Sequence, residues 1–69
     1  MDREAVGKKL RELRGIRTRT GVARELKISP SSMAAYEYGY RMPRDKVKAK
    51  LADYYGKTVD EIFHQQENG

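Results

Sequence analysis

The stretch Thr18-Arg-Thr-Gly-Val-Ala-Arg-Glu-Leu-Lys-Ile-Ser-Pro-Ser-Ser-Met-Ala-Ala-Tyr-Glu-Tyr-Gly-Tyr-Arg-Met-Pro43 decides the fold. It holds two helix starts a turn apart. Thr18 can cap a short helix whose apolar positions are Val22, Ala23 and Leu26. Gly21 sits inside that helix and weakens it by about 0.5–1 kcal/mol relative to Ala. Ser29 followed by Pro30 is the sharper start. A serine hydroxyl accepts an orphan amide, and proline at the first helical position gives up only a donor that had no partner. The next helix is predicted from about Pro30 to Tyr38, with Met33 and Tyr36 turned inward. Gly39 offers a left-handed stop and Pro43 blocks easy continuation, so residues 39–43 form a tight loop. Tyr36, Tyr38 and Tyr40 alternate as in a strand, but Gly39 interrupts them and no second strand exists to pair with.

Outward from this centre the pattern stays helical. Val6, Leu10 and Leu13 fall at i, i+4 and i+7 among charged residues, which predicts an amphipathic helix over roughly 3–14, capped by Asp2 and ended by Gly15. On the other side, Val47, Leu51, Tyr54 and Tyr55 recur at helical spacing and Gly56 stops them. Thr58-Val-Asp-Glu61 is a capping box that opens a fifth helix carrying Val59, Ile62 and Phe63. The expected architecture is all-α: a compact domain of five short helices over residues 1–64, followed by a disordered tail over 65–69.

Composition narrows what such a domain can do. The chain has 69 residues and no cysteine, so neither a disulfide framework nor a thiolate zinc site is available, and the core must be all packing. One histidine argues against a metal cluster built by the protein. The lone His64 reads as a solvated or capping residue. Ser29, Ser31 and Ser32 have no histidine or lysine arranged to activate them. The glycines match no phosphate-cradling loop. No enzyme activity, cofactor or metal is expected. No apolar run is long enough for a membrane span or a signal sequence, which with the missing cysteines fits a cytoplasmic protein. Lying on an anionic membrane would expose Leu10 and Leu13, which the core needs.

Fifteen Lys and Arg against ten Asp and Glu give a net charge of +5, unevenly spread. Residues 1–19 hold seven basic and three acidic side chains, residues 20–56 seven and four, and residues 57–69 one and three. A basic body with a mildly acidic end fits a polyanionic partner. Two short helices joined by a tight turn over Ala23 to Glu37 are what a helix-turn-helix requires, with the second helix entering a major groove. Ala23 is small where the two helices cross, and Ile28 and Met33 lie where the pair buries its apolar faces. A purely structural helical hairpin would show the same pattern.

Thr18-Arg19, Val22-Ala23, Leu26, Ile28-Ser29, Met33 and Tyr36-Glu-Tyr-Gly-Tyr-Arg-Met-Pro43 together resemble the Xre/Cro/C1 family of phage-repressor-like helix-turn-helix domains. The likeness is strongest to the small immunity-repressor-like regulators of bacterial mobile elements. It covers about residues 3–63 and includes the closing Thr58-to-Phe63 helix. It implies a lambda-repressor-like fold and a sequence-specific, double-stranded DNA-binding regulator, a repressor encoded by a bacterium or phage. It also implies a homodimer on an inverted-repeat operator. Thr18 and Arg19 then hold a phosphate at the start of the first motif helix. Tyr38, Tyr40 and Arg41, with Arg44, grip phosphate near the following loop through side chains and backbone amides. Pairing of Arg41 with Asp45 is the competing reading.

The groove-facing positions map to Pro30, Ser31, Ser32, Ala34 and Ala35. None is an Arg, Asn or Gln of the kind that makes bidentate base contacts. Modest direct readout is therefore expected, with specificity drawn in part from DNA shape. Glu37 would be repelled by DNA, so a structural pairing with Arg14 is expected, and Gly39 is structural as well. Lys27 stands where relatives often place glycine, at a cost of about 1 kcal/mol if its φ is positive. The connector before Thr18 is about two residues shorter than in many relatives. The weakly basic surface of Tyr54, Tyr55, Ile62 and Phe63 is the candidate dimer surface, with burial in the monomer core as the alternative. No sensor or protease domain is apparent, so induction is expected from a partner such as an antirepressor or a protease. The alternative function is a protein-interaction module, an antitoxin or antirepressor-binding domain, on the same fold.

Overall fold

The computed structural model describes residues 2–64; the expected tail over 65–69 lies outside the described residues. Among the described residues there are five helices and no strand: α1 (Arg3–Arg14), α2 (Arg19–Leu26), α3 (Pro30–Glu37), α4 (Asp45–Tyr55) and α5 (Val59–Phe63). The all-α expectation is met, and no helix is long and apolar enough to cross a membrane.

Local chemistry explains most boundaries. Asp2 accepts from the Glu4 amide, Thr18 from the Gly21 amide and Ser29 from the Ser32 amide. Thr58 and Glu61 satisfy each other's backbone amides in a capping box. Each such bond contributes about 1 kcal/mol by pairing a donor that the helix leaves orphaned. The Thr58 amide donates to the Glu61 carboxylate and holds its pKa below the usual 4.5. Gly21 has a use beyond permissiveness, because a Cβ there would come within 2.8 Å of the capping Thr18 hydroxyl.

Helix α3 ends one residue before the predicted limit. Tyr38 serves as its C-cap with φ −92° and ψ 0°, and Gly39 follows at φ 79°. Lys27 takes the left-handed conformation at φ 60° to end α2, a conformation that costs a side chain about 1 kcal/mol. Lys50 of α4 compensates in part: its ammonium donates to the Leu26 carbonyl at 3.1 Å.

The core is one cluster built from every helix. It contains Val6, Leu10, Val22, Ala23, Leu26, Met33, Tyr36, Leu51, Ala52, Ile62 and Phe63. Helix α1 packs on α3, α2 on α3 and α4, and α5 closes the bundle against α4 and α1. Ile62 and Phe63 are fully enclosed here. That corrects their place on the candidate dimer surface: a five-residue helix buries its two largest apolar side chains in the monomer, so neither is left for a partner. Tyr54 and Tyr55 are half-buried.

Candidate nucleic-acid interface

Ser29, Pro30 and Ser31 are exposed at the start of α3, Ser32, Ala34 and Ala35 are half-buried, and Met33 and Tyr36 point into the core. The outward face of α3 therefore combines two small hydroxyls with alanine methyls and no charge. Ser32 Oγ is already engaged. It lies 3.0 Å from the Ser29 hydroxyl and accepts from Arg41 Nη2 at 3.0 Å. The Arg41 guanidinium also stacks over the Tyr36 ring, 5.5 Å from its centroid. Arg41 is thus held along α3 by Ser32 and Tyr36; the competing reading paired it with Asp45.

At the other end of α3 lies Glu37, a fully buried carboxylate. Arg14 Nε donates to its Oε2 at 2.8 Å and Arg19 Nε to its Oε1 at 2.8 Å. Arg11 Nη1 donates to the Glu37 backbone carbonyl. Arginines from α1 and α2 thus converge on the last turn of α3. Cations there also complement the negative end of the helix dipole. Sharing one carboxylate between Arg14 and Arg19 leaves one positive charge in excess. Arg19 is the more accessible of the two, with its side chain 28% exposed.

Arg19 makes a further pair of contacts. Its Nη2 donates to the Tyr38 hydroxyl at 3.1 Å, and its guanidinium carbon sits 4.7 Å from the Tyr38 ring centroid. The hydrogen bonds to Glu37 and then to Tyr38 raise the Arg19 pKa further, so it stays protonated. Tyr38 is 49% exposed and Tyr40 is 73% exposed, with their ring centroids 5.9 Å apart. Thr18 and Arg19 thus occupy the α2 start and Tyr38 the α3 end, while Tyr40 and Arg41 lie in the following loop and Arg44 at the N-cap of α4.

The loop amides differ from expectation. The Tyr40 and Arg41 amides both turn back onto the Ala35 carbonyl, at 2.8 and 3.3 Å. These donors close the end of α3, so anion contacts in this loop fall to side chains. The amides of Arg19 and Thr20 at the start of α2 make no bond among the described residues, and the Thr18 hydroxyl keeps its proton to donate.

Two contributors carry little sequence signal. Gly7 packs against the backbone of Tyr36 and Glu37, where a Cβ has no room. Its only hint is a glycine at helical spacing inside the apolar stripe of α1. Arg19 as second partner of Glu37 depends on tertiary placement alone. In α4, Tyr54 and Tyr55 meet edge to face at 5.2 Å. Tyr54 is raised in pKa, first by its hydrogen bond with Glu25, and Arg17 stacks over its ring.

The helix-turn-helix family model matches residues 8–62, most of the chain, from within α1 to within α5. No curated protein matches the sequence. Among solved structures, the clp gene regulator ClgR from C. glutamicum is similar, with a TM-score of 0.75 and 25% identity. The match covers 90% of this chain and 83% of that one. A family match over this length, on a bundle that presents α2 and α3 in this arrangement, shows that the chain belongs to the helix-turn-helix family.

Proposed function

We propose that the protein is a sequence-specific, double-stranded DNA-binding transcription regulator that acts as a repressor. One observation carries this reading: Arg19 and Arg41 are anchored to α3, while the face between them is small and uncharged. A helix with that profile can enter a major groove without steric or charge conflict, and arginines beside it can meet the backbones that line the groove. The similarity to a gene regulator supports the same reading.

In this reading Pro30, Ser31, Ser32, Ala34 and Ala35 face base edges. Thr18, Arg19, Tyr40, Arg41 and Arg44 face phosphates, with Tyr38 placed among them against Arg19. Alanine methyls can meet thymine methyls, and serine hydroxyls donate or accept without strong base preference, so DNA shape carries part of the specificity. Two copies on an inverted repeat would place their α3 helices about 34 Å apart, one duplex turn. With Ile62 and Phe63 committed to the core, Tyr54 and Tyr55 are what remains of the proposed contact between copies. Induction through a protein antirepressor or a protease belongs to the same reading.

Selecting bound duplexes from a random pool tests the reading. The expected result is an enriched inverted repeat. Recovery of unenriched DNA removes sequence specificity. The absence of any Arg, Asn or Gln on α3 favours one alternative, a protein-interaction module on the same fold, and failure to retain any DNA would support it.

A further inference from the structure

We propose that Tyr38 is a positioning residue for Arg19, holding its guanidinium at the start of α2 so that its free edge meets a DNA phosphate. The inference rests on the DNA-binding reading and adds to it the residue that sets this arginine's geometry.

Arg19 occupies the first position of α2, where the helix dipole is positive. A cation is poorly placed there unless an anion joins it. Glu37 supplies one carboxylate, but Arg14 uses it as well, so the cluster keeps an excess positive charge. The phosphate of a DNA strand is the anion that would balance it, and the unbonded Arg19 and Thr20 amides lie on the same turn.

Arg19 has a long side chain with many rotamers, and freezing it on binding costs affinity. In the free protein that freezing has already occurred. Nε is fixed by Glu37, Nη2 by the Tyr38 hydroxyl, and the guanidinium plane by the Tyr38 ring. The Nη1 group makes no bond among the described residues. The Tyr38 backbone is itself fixed, since it caps α3 with its amide on the Ala34 carbonyl at 2.9 Å. The C-cap of α3 thereby sets the aim of an arginine on α2, which ties the phosphate grip to the docking angle of α3.

A double-substitution cycle on binding to a labelled duplex of random sequence tests this. Tyr38→Ala is expected to weaken binding about five- to tenfold, and Tyr38→Phe, which keeps the ring, about two- to threefold. Both substitutions should lose their effect when Arg19→Ala is already present. The slope of log K against log salt should fall by about one in Arg19→Ala, with no further fall when Tyr38→Ala is added. NMR relaxation at Arg19 Nε supplies a readout free of DNA: its order parameter should drop in Tyr38→Ala while that of Arg14 Nε holds. Equal losses with and without Arg19 would mean that Tyr38 touches DNA directly, and would overturn the proposal. So would Tyr38 variants that bind like the unsubstituted protein. If the unsubstituted protein itself fails to bind the duplex, the DNA-binding reading falls and the proposal falls with it.

Discussion

Gly7 of α1 lies directly on the backbone of Glu37 in α3, so closely that a Cβ on Gly7 would sit 2.9 Å from the Glu37 carbonyl carbon. This contact sets the α1–α3 spacing and brings Arg11 and Arg14 within reach of the last turn of α3. Gly7→Ala should destabilise the fold by about 1–3 kcal/mol, since the overlap is with backbone that cannot rotate away. The gain in helix propensity, about 1 kcal/mol, works in the opposite direction and is smaller than most of that range. A chemical denaturation midpoint measures the difference, and a midpoint equal to or above that of the unsubstituted protein would show that the helices are not in contact there.

The Glu37 carboxylate pairs with two guanidinium groups from a fully buried position. Glu37→Gln leaves Arg14 and Arg19 facing each other without a counter-charge and should cost about 2–4 kcal/mol. Arg14→Ala should cost less, because Arg19 still satisfies Glu37. Thermal melts of both variants at low salt give the ordering, and an Arg14→Ala loss larger than the Glu37→Gln loss would contradict it.

What the sequence makes legible here is local. The caps at Asp2, Thr18, Ser29 and Thr58 and the left-handed glycines at 39 and 56 each depend on a few neighbouring residues, so they can be read without tertiary knowledge. A charge argument reaches the Arg14–Glu37 pair, because a carboxylate beside a DNA-facing helix must turn away from phosphate. It does not reach Arg19 as the second partner. It also does not reach Arg41 lying on Ser32, since Asp45 is nearer in sequence and opposite in charge. Ile62 and Phe63 look free for a partner until the brevity of α5 is set against the core it must close. The close approach at Gly7 is invisible to a count of apolar positions.

Lys27 takes φ 60° in the turn between α2 and α3. Lys27→Gly should raise stability by about 0.5–1 kcal/mol, the relief of left-handed strain being partly offset by a more flexible unfolded chain. The check is again the denaturation midpoint, and a loss of stability would show that the Lys27 side chain contributes more than its backbone costs.

The Tyr55 hydroxyl is buried with no hydrogen-bond partner, and burial, with the nearby Glu37 charge, pushes its pKa up to about 12. A raised folded-state pKa contributes fully below the ordinary value of 10.0 and is lost as the pH rises toward 12. Tyr55→Phe should therefore be neutral, or stabilising by up to about 1 kcal/mol, at pH 7. The variant should also lose less stability than the unsubstituted protein between pH 10 and 12. Urea titrations at neutral and alkaline pH compare the two, and parallel alkaline losses would show that Tyr55 ionises as freely in the fold as in the unfolded chain.

The most direct measurement is the salt dependence of binding to random duplex DNA. The three arginines that face phosphate, Arg19, Arg41 and Arg44, should give a slope of log K against log salt of about −3. A flat response, or no binding at low salt, would contradict DNA binding through this face and leave the helix-turn-helix as a surface for protein partners.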